Sequence, residues 1–228
     1  MPIAGFDPSI THFGWVILDE NKTGKDVLLE SGTFITKVTD GMLVQRLIMQ
    51  RERVMKLLKK HDVKFVSMEA PYFMDYNTEK LFALNQFIHE AFLNSGTYVL
   101  YIPPQSLKKF ACPDMDPEEV TKNHMIHAAK EILDMHGQKL TEHIADAFMA
   151  GIVGHKYYNW LFLKKFKDSD LNPHERESFC GKHTFAKGHR KGITEYSGMV
   201  YKENEAFFDY SKKKRKTKQI LKEIQNGR

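Results

Sequence analysis

No apolar run in this chain approaches the roughly 20 residues that a bilayer-crossing helix requires, so a membrane span is not expected. Cysteine is scarce. Cys112 and Cys180 lie far apart in sequence, which offers no disulfide framework and suits a reducing compartment. The amino terminus, Met1-Pro2-Ile3-Ala4-Gly5-Phe6-Asp7, has neither the basic start nor the apolar stretch of a secretory leader and enters a strand-like segment at once. A cytoplasmic protein is expected. No internal repeat is visible.

What is present is ordinary in bulk and uneven in distribution. Hydrophobic residues at 42% and charged residues at 28% fit one sizeable globular domain in 228 residues, or a domain with an appendage. The net charge of +5 hides an asymmetry: from residue 155 onward there are 18 Lys and Arg against 9 Asp and Glu, and the part before it carries 16 against 20. A mildly acidic body with a basic carboxy-terminal third suits a polyanionic ligand, nucleic acid above all. Solvated disorder is the plain alternative for such a tail.

Three apolar runs, Pro2 to Asp7, Phe13 to Leu18 and Val27 to Ile35, are separated by turn chemistry and read as an antiparallel meander. From Gly41 to His61 the apolar residues recur at three and four, the spacing of an amphipathic helix. Val63 to Met68 reads as a buried strand, Asn77 to Asn94 as a helix, and Thr97 to Ile102 as a strand stopped by Pro103-Pro104. Pro117-Glu118-Glu119 is expected to open a helix running to about Met135, and a last helix runs from Glu142 to about Tyr158. The order predicts a mixed five-stranded sheet covered by helices over 1–158, followed by a basic extension over 159–228. Within the extension, Gly192 to Tyr210 is read as a small hairpin or an extended segment, and Lys212 onward as a basic segment with helical character.

Acidic residues stand where these elements end. Asp7 follows the first strand in Gly5-Phe6-Asp7-Pro8-Ser9, where an ordinary Asp-Pro turn is the alternative. Glu69 closes a buried strand in Val66-Ser67-Met68-Glu69-Ala70-Pro71, where a helix cap is the alternative. His143 and Asp146 lie three apart on the last helix and share a face, which a surface His–Asp pair also explains. Taken as a set, carboxylates and one imidazole are suitable ligands for Mg²⁺ or Mn²⁺. Two such ions about 4 Å apart can activate a water and stabilise a departing 3′ oxygen. The set points to metal-dependent cutting of a phosphodiester, with Asp7, Glu69, His143 and Asp146 as catalytic and metal-binding candidates.

These motifs resemble the RuvC family of Holliday-junction resolvases. Gly-Phe-Asp-Pro-Ser followed by Gly14-Trp15-Val16-Ile17 is similar to the start of that family, Val-Ser-Met-Glu-Ala-Pro to its second acidic motif, and His-Ile-Ala-Asp-Ala-Phe to its third. The resemblance covers roughly residues 2–155. It implies an RNase H-like fold, a homodimer, and paired nicks across a four-way, branched DNA junction. By motif, the acids carry over to Asp7, Glu69 and Asp146, with His143 as a fourth ligand or a base. Lys108 resembles a lysine placed to touch the scissile phosphate, and Lys122 is a second candidate of that kind. Tyr72 stands at the family's aromatic position with Phe73 beside it, and such rings can wedge or stack at an opened base pair. Packing beneath their own loop is the alternative for both.

The chain departs from the family in its long basic extension and in the residues after Glu69. Lys213, Lys214 and Arg215, in the basic run from Lys212 to Lys218, are candidate phosphate contacts. Cys180 with His174, His183 and His189 hints at zinc, but no second ligand pair has finger spacing. A catalytically silent junction- or RNA-binding protein on the same scaffold is the competing function. A sugar-kinase or actin-like ATPase would need a duplicated half for which 228 residues without a repeat leave no room.

Overall fold

The computed structural model describes residues 1–21, 24–70, 78–133, 140–165 and 167–180, together with strand segments at 182–184, 194–196, 200–202 and 205–208. Strands β1 (Ile3–Asp7), β2 (His12–Glu20) and β3 (Asp26–Ile35) form the expected antiparallel meander. After helix α1 (Leu43–Lys60), strand β4 (Phe65–Glu69) pairs parallel to β1. After helix α2 (Thr78–Ser95), strand β5 (Tyr98–Ile102) pairs parallel to β4. The sheet order β3-β2-β1-β4-β5 is the mixed five-stranded sheet expected from the sequence, and it has the RNase H-like arrangement.

Strand alternation divides the core into two layers, because successive side chains point to opposite faces. Ala4 and Phe6 of β1, with Val66 and Met68 of β4, face α1 and α2, where Leu47, Val54, Leu84 and Ile88 cover them. Each of these side chains larger than Ala4 stabilises the fold by about 1.5–3 kcal/mol through its burial. The intervening positions, Ile3, Gly5 and Asp7 on β1 and Phe65, Ser67 and Glu69 on β4, take the opposite face. Helix α5 (Glu142–Leu161) lies across that face. Its N-terminus is capped by the Thr141 hydroxyl, which accepts from the Ile144 amide at 3.3 Å.

Helix α5 sits unusually low on the sheet. A β-carbon on Gly5 would stand 2.1 Å from the Ala147 carbonyl oxygen, and one on Gly14 would stand 2.1 Å from that of His143. At the far end, a β-carbon on Gly154 would meet the Ser67 side chain at 2.3 Å. The glycines therefore permit a backbone-to-backbone approach that fixes where residues 143–147 rest against β1 and β2.

Helix α3 (Pro104–Ala111) was not expected, since Pro103-Pro104 reads as a stop. Pro104 instead occupies the first helical turn, where its missing N–H is not needed. Helix α4 (Lys122–Leu133) begins five residues later than Pro117 suggests. The Asp116 carboxylate accepts from the Glu118 amide at 2.9 Å, which closes a turn there, and buried Val120 anchors the segment leading to the helix.

Regular structure continues beyond residue 158. Trp160, Leu161, Phe162, Leu171 and Phe179 are buried in one cluster with Ile3, Phe65, Tyr98 and Leu100. Phe179, on helix α6 (Pro173–Cys180), stacks on Trp160 at 5.6 Å and meets Tyr157 edge-on at 5.0 Å. Two short strands, β6 (Lys182–Thr184) and β7 (Thr194–Tyr196), form a separate pair. Strands β8 (Val200–Lys202) and β9 (Glu205–Phe208) extend the main sheet beyond β5, with β8 antiparallel to β5 and β9 antiparallel to β8. The five-stranded core thus becomes a seven-stranded sheet. Among the described residues, no helix is long and apolar enough to cross a membrane.

Candidate active site

Asp7 and Glu69 are the last residues of adjacent parallel strands, one step beyond the paired positions Phe6 and Met68. Alternation turns both toward α5. The first two turns of α5 lie over this end of the sheet, and they carry His143 and Asp146. The four residues singled out by motif are therefore brought to one end of the sheet by strand period, helix face and glycine contact together.

Their electrostatics show how closely they are linked. The carboxyl of Glu69 is pushed up to about 8, chiefly by burial and then by the charges of Asp7 and Asp146, with Lys108 opposing. Asp146 is pushed up to about 7, again by burial first and then by Asp7, with His143 opposing. The His143 Nδ1–H donates to Asp7 Oδ2 at 2.7 Å, and this hydrogen bond raises the imidazole above its ordinary range against the effect of burial. Its other nitrogen, Nε2, stands 3.6 Å from Glu142 Oε1.

A cavity of about 420 Å³ opens between these acids and the α3–α4 corner. Glu69 and Asp146 line one side, Lys108 and Lys122 reach it from α3 and α4, and Leu107, Val120 and Met125 make an apolar wall. Both lysines expected at the site are therefore at the same cavity as the carboxylates. Lys122 is also held by Glu142 Oε2 at 2.7 Å.

The donor set fits a hard divalent cation in its chemistry. Three carboxylates gather at one place, two of them carrying raised proton affinities that a bound cation would relieve. Among the described residues, no three His, Cys, Asp or Glu side chains approach closely enough to enclose an ion. The structure supplies the donors and the excess negative charge, without a closed coordination shell.

Tyr72 and Phe73, and Lys213, Lys214 and Arg215 in the tail, lie outside the described residues. So do the side chains of His174, Cys180, His183 and His189. Two neighbours of the site were not foreseen. The ring of His12, at the start of β2, lies parallel to that of His143 with centroids 5.6 Å apart. Glu142 lies between Lys122 and His143. Nothing in the local pattern marks His12, since its place depends on the β1–β2 register that sets Asp7 opposite Gly14. Glu142 adjoins His143 in sequence, but its partner Lys122 lies on another helix.

Comparison with known proteins agrees with this geometry. Residues 3–155 match the family model described as crossover junction endodeoxyribonuclease RuvC. Comparison with curated protein sequences finds no match. Among solved structures, Thermus thermophilus RuvC superposes with a TM-score of 0.59 at 23% identity, covering 69% of this chain and 95% of that one. The T. thermophilus RuvC in complex with a Holliday junction substrate gives 0.58 at 22% identity, covering 69% and 94%. At such identities the likeness establishes the fold.

Proposed function

The chain belongs to the RuvC family of crossover junction endodeoxyribonucleases, and from that premise we propose that it resolves four-way or related branched DNA by hydrolysing phosphodiester bonds. Asp7, Glu69, Asp146 and His143 are the residues that would hold Mg²⁺ or Mn²⁺, two ions per site. Such ions, when bound, supply activation of water and stabilisation of the charge that develops on the departing 3′ oxygen.

The chain's own residues account for the rest. Lys108, at the cavity beside Glu69, would offer its ammonium to the non-bridging oxygens of a bound phosphate. With its Nδ1–H donated to Asp7, His143 has one lone pair left, on Nε2, which either joins the metal ligands or takes up a proton from the attacking water. The water oxygen bonds to phosphorus, the bond from phosphorus to the 3′ oxygen breaks, and that oxygen takes a proton from solvent water. The products carry a 5′ phosphate and a 3′ hydroxyl. Tyr72 and Phe73 are proposed to stack on bases opened at the branch, and Lys213, Lys214 and Arg215 to follow the phosphates of the arms. A homodimer would put two such sites on one junction.

One observation carries the reading: Glu69 and Asp146 are held together, with raised proton affinities, beside two lysines. A silent binding protein for DNA or RNA gains nothing from crowding carboxylates where a phosphate must approach. The test is incubation of a synthetic four-way junction, and of linear duplex, with Mg²⁺ or Mn²⁺. Cleavage of the junction in preference to the duplex is expected, and binding of the junction without cleavage under either metal would favour the silent alternative.

A further inference from the structure

Lys122, which lines the cavity, is the first residue of α4, and its side chain meets that of Glu142, the first residue of α5. Lys122 Nζ stands 2.7 Å from Glu142 Oε2, although the lysine side chain is 72% exposed, and Glu142 Oε1 stands 3.6 Å from His143 Nε2. Lys108, the other ammonium at this cavity, forms no ion pair among the described residues. One cation of the site is thus open to an incoming phosphate, and the other already carries a carboxylate.

The pairing has a direction. Asp146 and Asp7 also act on Lys122 through their charge, but the hydrogen bond is made with Glu142, outside the group proposed to hold the metals. A carboxylate oxygen and a phosphate oxygen are alternative acceptors for the same ammonium. An exposed ion pair is weak enough for a polyanion to replace it.

We propose that Glu142 is a positioning residue for substrate binding: it holds Lys122 at the cavity, and a phosphate of the DNA takes its place on the same ammonium. The inference rests on the reading of the chain as a DNA endonuclease. Glu142 then lowers DNA affinity, and it removes part of the counterion release that a free Lys122 would contribute.

The experiment is a double-mutant cycle on the full chain, comparing wild type, Glu142→Gln, Lys122→Ala and the double variant. Each is titrated with a synthetic four-way junction without divalent cation over about 50 to 200 mM salt, the range in which phosphate contacts are read as a slope. Glu142→Gln is expected to tighten binding about two- to five-fold, the scale of one exposed ion pair. It is also expected to steepen the salt slope by up to about 0.9, the value of one phosphate contact. In the Lys122→Ala background the same substitution is expected to change neither. A folding defect weakens binding, so it cannot imitate this gain.

If the gain persists without Lys122, Glu142 simply repels DNA and the proposal is overturned. Unchanged or weakened binding in Glu142→Gln overturns it too. A wild type that binds no DNA overturns the functional reading and this inference with it, whereas junction binding with a failed cycle overturns the inference alone.

Discussion

Replacing Glu69 with Gln should stabilise the metal-free protein while destroying its activity. In the unfolded chain this carboxyl has the ordinary value of 4.5, and in the fold it is pushed up to about 8. The folded state therefore keeps a proton that the unfolded state releases, so stability falls as pH rises between these two values. At about 1.4 kcal/mol per unit, the loss approaches roughly 4 kcal/mol near pH 8 and is below about 1 kcal/mol near pH 5. Gln does not ionise. Glu69→Gln should thus exceed wild type by about 3 kcal/mol more near pH 8 than near pH 5, with the titrations of groups away from the site cancelling in the difference. The assay is denaturant unfolding in a chelator, followed by fluorescence of buried Trp15 and Trp160. Adding Mg²⁺ near pH 8 should then raise the Tm of wild type and leave that of Glu69→Gln nearly unchanged, because only a site that binds the ion gains from it. A stability difference that is the same at both pH values would refute the picture of a buried, crowded carboxyl.

Further outcomes follow from other contacts. His143→Ala should slow cleavage strongly but less completely than loss of a carboxylate, since water can replace an imidazole as base; wild-type rates from about pH 6 to 9 would show that His143 only accompanies Asp7. Gly14→Ala would drive a β-carbon to 2.1 Å from the His143 carbonyl oxygen, so α5 must shift. The expected result is a stability loss of about 1–3 kcal/mol with a much larger fall in cleavage than in junction binding, and unchanged turnover would refute the need for that close approach. Ending the chain after residue 158 removes Trp160, Leu161, Phe162, Leu171 and Phe179 from the core. At about 1.5–3 kcal/mol each, their loss rivals the whole stability of a domain and should leave it unfolded. Ending it after residue 180 keeps them and removes 13 Lys and Arg against 5 Asp and Glu. That protein should fold, bind junctions more weakly and show a flatter salt dependence; a well-folded 1–158 fragment would support the division there.

The carboxylates at the strand ends were legible because strand period is local. An acid closing a buried run at Asp7 or Glu69 is visible in a few residues, and so is the shared helix face of His143 and Asp146. The five core strands were legible for the same reason. What brings the four together was not, because it depends on contacts distant in sequence: Gly5 against Ala147, Gly14 against His143, and Gly154 against Ser67. The pairing of β8 with β5 escaped likewise, since strands 100 residues apart share no local signal. At α3 and α4 the difficulty was proline. It opens a helix at Pro104 and belongs to a turn at Pro117, and the distinction rests on what the neighbouring amides bond to. The fading pattern after Tyr158 concealed a second aromatic cluster, because Phe162, Leu171 and Phe179 are spaced by packing against α5 and not by a regular period.

The most direct measurement is cleavage of an end-labelled four-way junction by wild type, Asp7→Asn and Asp146→Asn, with Mg²⁺ or Mn²⁺ and with chelator. Wild type with metal should place paired nicks at symmetry-related positions, leaving ends that a ligase reseals. Both variants should bind the junction within a few-fold of wild type and cut it at less than about a tenth of the rate, a loss of at least about 1.4 kcal/mol in transition-state stabilisation. Cleavage that survives the chelator, or that either variant carries out at the wild-type rate, would contradict the account.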